Sequence, residues 1–363
     1  MKVQDIINLL NDFAALGLQD DFDNSGLNVG NAEQEVNGIL ITLDVTPEVI
    51  EEAISLNCNL IIAHHPLIFG KLKKINGNNY VEKSIIMAIK NDIAIYCGHT
   101  NFDQVFYGVS SKLCDKLGVQ NREILSPKNN SLKKISVFVP ENYAEQVRNS
   151  MFDAGAGKIG NYSNCSYNIN GKGSFRANSL ANPFVGKIGE THFENETKIE
   201  MIYPDYAEKT VVKAMLQSHP YEEVAYDLIK LENQNNFCGY GMSGTINEID
   251  EITFLEKIKK IFQLKTLKHS PLLNKPINKI SVCGGSGAFL IENAKRSKSQ
   301  VFITADIKYH DYFLAENQIL LIDIGHYESE QFTKEIFYDV IIKKYTNFAV
   351  HISKINTNPI KVY

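Results

Sequence analysis

The chain contains no Trp, and only four of its 37 basic residues are Arg. Arg is the side chain that grips phosphates in a bidentate fork. Its scarcity, together with a formal charge of -5, argues against a protein devoted to coating nucleic acid or an anionic membrane. Cysteine is sparse and scattered: Cys58, Cys97, Cys114, Cys165, Cys238 and Cys283, none in a CxxC pair. That excludes a disulfide scaffold and fits reduced thiols in a cytoplasm. No run approaches the roughly 18 apolar residues that a membrane helix needs. The opening residues do not read as a signal peptide, because Asp5 and Asp12 interrupt the apolar stretch. The expectation is a cytoplasmic protein with no membrane partner and no nucleic-acid partner.

What is present is ordinary globular material. Hydrophobic residues make up 44% and charged residues 22% of 363, enough chain for two or three domains with sizeable cores. Apolar groups at Val3, Ile6, Ile7, Leu10, Phe13 and Leu16 have helical spacing. Residues 38–43, 60–63 and 93–97 read as buried strands, with helices between them at Thr46–Pro47 onward and from Tyr80 to Asn91. Strands alternating with helices predict an α/β layer fold, in which reactive groups gather beyond the strand ends.

The texture changes near residue 125. Residues 126–131 read as a polar linker, and 233–236 as a second boundary. Between them, strands at 134–139, 198–202 and 224–231 and helices at 144–154 and 207–217 follow a β-α-β…β-α-β order. That order predicts an α+β module of the ferredoxin-like kind, with the Gly- and Asn-rich stretch 155–173 as a hairpin or loop. The α/β rhythm then resumes: a helix at 253–262, strands at 279–283, 300–304 and 319–324, a long helix at about 329–345 and a closing strand at 349–355. The division is therefore 1–125, 126–240 and 241–363.

Five of the nine histidines (His64, His65, His99, His310 and His326) directly follow predicted strands. They share those ends with Asp103, Asp306, Asp311 and Glu330. The first and last segments echo each other, each placing His and Asp after two successive strands; two lobes facing across a cleft would unite them. His326 and Glu330 are four apart at a helix opening, so they share a face. Imidazole with carboxylate, and no thiolate, suits Zn, Fe, Mn or Ni. Because a carboxylate can bridge, such a set suffices for two divalent ions that activate a water for hydrolysis. The Gly284-Gly285-Ser286-Gly287 turn meets no nucleotide fingerprint; a tight packing turn is the expected role, and a phosphate cradle the alternative.

These motifs, in order, are His64-His65-Pro66, Gly98-His99-Thr100-Asn101-Phe102-Asp103, the glycine turn, Thr304-Ala305-Asp306-Ile307-Lys308-Tyr309-His310 and Gly325-His326-Tyr327-Glu328-Ser329-Glu330. Together they resemble the Nif-three-like family, also called GTP cyclohydrolase I type 2 homologues, over about 1–125 and 245–363. The middle segment resembles the PII/CutA-like insert of longer bacterial members, through Gly171–Arg176, Asn182–Gly186 and His219–Val224. The resemblance implies a homohexamer with two metal ions per chain. The implied ligands are His64, His65, Asp103, His326 and Glu330, with Asp103 and Glu330 as bridges. The family's usual Trp-Asp-Asn-x-Gly-Leu is Phe22-Asp23-Asn24-Ser25-Gly26-Leu27 here, and its usual Thr-Gly-Asp is Thr304-Ala305-Asp306, which costs backbone freedom at that turn.

His99, Asp306 and His310 are surplus to the five ligands. His99 could orient Asp103 or shuttle a proton, and Asp306 with His310 could form an acid/base pair. The leading expectation is a dinuclear hydrolase whose activated water attacks a purine nucleotide or a phosphoester. The alternatives are a non-catalytic metal-binding or metal-delivery protein and a regulatory partner.

Overall fold

The computed structural model describes residues 1–363. The chain forms two compact units, Met1–Ser126 with Phe237–Tyr363, and Pro127–Asn236.

The first unit holds two sheets. One runs Gly26–Val29, Ala94–Cys97, Leu60–Ala63, Ile39–Thr42, Val350–Ile352 in spatial order. Its last four strands are parallel, and Gly26–Val29 is an antiparallel edge. The central strands are buried along their whole length, as a sheet covered on both faces requires. Ile39, Ile41, Leu60, Ile62 and Tyr96 pack with Val3, Ile6, Leu10, Phe337 and Ile341. Leu40, Ile61 and Ile95 face the other way, onto Val49, Ile50, Ala53, Ile85 and Ala88. The period of two along each strand makes that division. The closing strand Val350–Ile352 joins this N-terminal sheet rather than the sheet of its own segment.

The second sheet runs Lys268–His269, Leu320–Asp323, Val301–Ala305, Ile277–Ser286, Asn235–Ile249, Gln120–Lys128. Its Ile277–Ser286, Val301–Ala305 and Leu320–Asp323 strands are parallel. In the other unit, Tyr167–Arg176, Thr191–Pro204, Leu132–Pro140 and Tyr226–Leu231 form one antiparallel sheet in that order. Its core joins Ile135, Val137, Ile199 and Met201 to Val147, Met151, Val211 and Met215 of the helices Ala144–Asp153 and Glu208–Ser218.

Several local expectations change. The polar linker at 126–131 is largely the end of one strand, Gln120–Lys128, and the turn into the next, Leu132–Pro140. The glycines at 171 and 173 lie within the strand Tyr167–Arg176, whose pairing partner Thr191–Pro204 supplies the ladder that Gly alone would not favour. The long helix expected at 329–345 is two helices, His326–Glu330 and Thr333–Lys344. Thr46 occupies the N-cap position before Pro47, but its side chain makes no capping hydrogen bond. The left-handed backbone at the Thr304-Ala305-Asp306 turn falls on Asp306 (φ 55°) and not on Ala305. Asp tolerates that region better than most residues, so replacing the usual Gly by Ala305 costs little. No helix is long and apolar enough to cross a membrane.

Candidate metal centre

Four histidines stand at the carboxyl ends of parallel strands, and each has its Nδ1 fastened outward. Leu60–Ala63 ends into His64 and His65, and Ala94–Cys97 into Gly98 and His99. His64 Nδ1 donates to the Gly98 carbonyl at 2.8 Å. His65 Nδ1 donates to Asp44 at 2.7 Å, His99 Nδ1 to Asp23 at 2.9 Å, and His326 Nδ1 to Asp306 at 2.6 Å. A carbonyl only accepts, so His64 carries a hydrogen on Nδ1, which leaves Nε2 as its atom for a metal. Imidazoles anchored in this way are characteristic of metal ligands, because the anchor fixes both ring orientation and tautomer.

The Nε2 atoms of His64, His65 and His326 converge on Glu330. Its Oε2 lies 2.9 Å from His65 Nε2 and 3.1 Å from His326 Nε2. Its Oε1 lies 3.7 Å from His64 Nε2, which is also 3.7 Å from Asp103 Oδ1. Two ligands on a common ion stand about 3–3.5 Å apart when each bond is about 2.0–2.2 Å; 3.7 Å is near that spacing and too long for a hydrogen bond. His64 Nε2 and Asp103 Oδ1 are both buried without a hydrogen-bond partner. Burying such atoms unpaired is costly, and a cation between them removes the cost. The donor set therefore fits a metal. Three groups have ligand atoms close enough to hold one: His64 with Asp103 and Glu330; His65 with His326 and Glu330; and His64 with His65 and His99.

Electrostatics agree. Burial and the neighbouring Glu330 charge push the Asp103 carboxyl up to about 8. Burial also works to raise Glu330, but the facing His326, His64 and His65 outweigh it and hold Glu330 well below the usual carboxylate range. Burial opposes a charge on His65, yet Asp44 and Glu330 raise it to about 10. His326 rises to about 9 in the same way, against burial and through Glu330 and Asp306.

The structure brings all five expected ligands together and distributes them unevenly. Of the two carboxylates, Glu330 belongs to two groups and Asp103 to one; His64 and His65 also belong to two each. His99 does not orient Asp103; its Nδ1 is spent on Asp23, and its ring stands 5.3 Å from His64 and 5.5 Å from His65 between centroids. Asp306 is the anchor of His326 and does not pair with His310. His310 is exposed, and its ring neighbours are Tyr309 and Phe313. Strand-end reasoning overlooked Asp23 and Asp44. Asp44 follows the strand Ile39–Thr42 and so met the same criterion as the histidines.

The glycine turn packs rather than cradles. Gly285 N–H donates to Ser329 Oγ and Gly287 N–H to Thr304 Oγ1, both at 2.9 Å. At Gly285 (φ +62°) an added Cβ would come within 2.2 Å of Glu330 Oε1. Glycine is required there so that the shared carboxylate can lie against the backbone.

Comparison with known proteins places the whole chain beside one family. The Duf34/NIF3 family (NGG1p interacting factor 3) matches residues 1–359. A Staphylococcus epidermidis protein named "GTP cyclohydrolase 1 type 2 homolog" is 36% identical over 370 aligned positions, covering 99% of this chain and 100% of its own. A Bacillus subtilis protein of the same name is 35% identical, covering 98% and 97%. The crystal structure of a Bacillus cereus protein related to NIF3 superposes with a TM-score of 0.84 at 36% identity, covering 100% of this chain and 99% of its own.

Proposed function

This chain belongs to the Duf34/NIF3 family, and on that premise we propose that it is a dinuclear metal-dependent hydrolase. Its substrate would be a purine nucleotide or a phosphoester. The reading requires two divalent transition-metal ions per chain, drawn from Zn, Fe, Mn or Ni. His64, Asp103 and Glu330 would hold one; His65, His326 and Glu330 would hold the other. The observation that carries the reading is the convergence of three anchored imidazoles on one carboxylate, beside two buried and unpartnered ligand atoms. Bound ions of this kind lower the pKa of a water and stabilise developing negative charge.

The chain's own contribution is orientation and proton handling. Asp44 and Asp306 hold the His65 and His326 rings. Asp23 holds His99 with one nitrogen spent and the other left free beside the ligand cluster. Asp306 is committed to His326 and His310 is exposed, so His99 is the best placed acid/base group. Anaerobic purification, metal analysis and a screen against GTP and phosphoesters test the activity. His99→Ala should retain metal and lower turnover by about 10²–10⁴-fold; an unchanged rate removes that role. A metal-replete wild type that turns nothing over would favour the alternative of non-catalytic metal binding, delivery or regulation.

Two architectural readings accompany this proposal. Residues 127–236 are an inserted PII/CutA-like module, supported by the β-α-β-β-α-β order and the strand order of its sheet. The rest forms two related lobes, supported by the parallel three-strand core in each sheet, with His or Asp beyond the strand ends. The homohexamer and the cytoplasmic location rest on family resemblance and composition; sedimentation of purified protein tests the first.

A further inference from the structure

The segment after the last strand is tied to the outer half of the candidate centre. Val350–Ile352 pairs in parallel with Ile39–Thr42, Val350 opposite Ile39 and Ile352 opposite Ile41. Parallel strands point the same way. The chain that follows Ile352 therefore emerges at the carboxyl end of the sheet, where Asp44 and the ligand histidines stand. Ser353 N–H donates to the Ile41 carbonyl at 2.8 Å and Lys354 N–H to Glu52 at 2.9 Å. Ile355 packs against the core that includes Leu40 and Val49.

Beyond Ile355 the chain has no regular secondary structure. Such a segment stays in place only if something ties it down, and two side chains do so. Thr357 Oγ1 donates to Asp44 Oδ2 at 2.5 Å, and Asn358 Nδ2 donates to Glu328 Oε1 at 2.8 Å. Both acceptors serve outer-half ligands. Asp44 Oδ1 takes the hydrogen of His65 Nδ1. With Oδ2 held by Thr357, the carboxylate cannot rotate without losing a bond, so its plane fixes the His65 ring. Glu328 lies in the helix His326–Glu330, between the two ligands. Its Oε2 sits so close to Gly325 (φ +88°) that a Cβ there would come within 2.3 Å. Asn358 thus grips the start of the helix that presents His326 and Glu330. Two consecutive residues reach the supports of all three outer ligands. The inner half has other supports: His64 hangs from the Gly98 carbonyl, and Gly98 N–H is bonded to the Ala63 carbonyl.

We propose that Thr357 and Asn358 are positioning residues for the outer ion site, a strap that ties the His65 anchor to the His326–Glu330 helix. This deepens the two-ion reading and rests on it for the presence of the outer ion.

The test takes the full chain, loaded with zinc and titrated against a chelator that removes the ions in turn, and the metal-free chain in amide hydrogen exchange. Thr357→Val with Asn358→Ala should weaken one ion by about 10-fold, the low end for groups that orient a ligand, and leave the other unchanged. The weakened ion should be the one that His326→Ala loses. Thr357→Ser keeps the hydroxyl and should hold both ions as the wild type does, whereas Thr357→Val should not. In the metal-free double variant, residues 326–330 should exchange faster and residues 60–63 should not. Wild-type affinity for both ions in the double variant, equal weakening of both, or a Thr357→Ser as weak as Thr357→Val would overturn the proposal. A wild type that takes up no zinc refutes the two-ion reading, and hydrogen exchange then decides the strap by itself: faster exchange at 326–330 in the double variant keeps it, and unchanged exchange overturns it.

Discussion

The two halves of the candidate centre use the same residue types in opposite surroundings. In the inner half, His64 is fully buried and Asp103 nearly so, at 14% side-chain exposure. In the outer half, His326 is 36% exposed and its anchor Asp306 48%. The outer atoms close on each other at 2.9 and 3.1 Å, whereas the inner ones stay 3.7 Å apart with two of them unpartnered. Water and protons can satisfy an exposed half. A buried half excludes water, and an ion relieves it where solvent cannot reach. The anchors differ as well: a backbone carbonyl holds His64, and carboxylates hold His65 and His326.

That contrast can be broken most severely at the residue the halves share. Glu330→Ala should lose both ions, whereas His64→Ala or Asp103→Ala should lose the inner one and His326→Ala the outer one. Metal analysis of purified variants reads all four; a full complement in Glu330→Ala would defeat the shared assignment. A smaller effect sharpens the difference in anchors. Asp44→Asn and Asp306→Asn should weaken the outer ion by about 10–100-fold and leave the inner ion in place, as judged by competition with a chelator. Equal weakening of both ions would erase the distinction. The smallest effect concerns the other unit. Gln120–Lys128 and Asn235–Ile249 are neighbours in one sheet, so residues 129–234 can be replaced by a short linker. Metal content should not change; loss of metal from a folded product would mean that the removed unit supplies ligands.

Much of this was legible from residue order. Buried strands announced themselves as continuous apolar runs such as Leu60-Ile61-Ile62-Ala63, and the polar groups just beyond them were the right places to look. The His326 and Glu330 pair was readable because both lie on one short helix, four residues apart. Misreadings came where pairing decides conformation. The Gly-containing strand Tyr167–Arg176 depends on its ladder with Thr191–Pro204, and the destination of Val350–Ile352 depends on which sheet has an open edge.

The sequence by itself determined the chemistry of the candidate ligands: imidazole and carboxylate without thiolate, displayed beyond parallel strands. Tertiary structure decided how those groups are shared. His65 meets Glu330 across 265 residues of chain, a distance at which no local spacing carries information. The fold turned His99 toward Asp23, gave Asp306 to His326 and left His310 in solvent. The physical reason is that a strand end fixes where a side chain starts, while its hydrogen-bond partner and its burial fix which atom faces the site. Both are supplied by elements that meet only in the folded molecule.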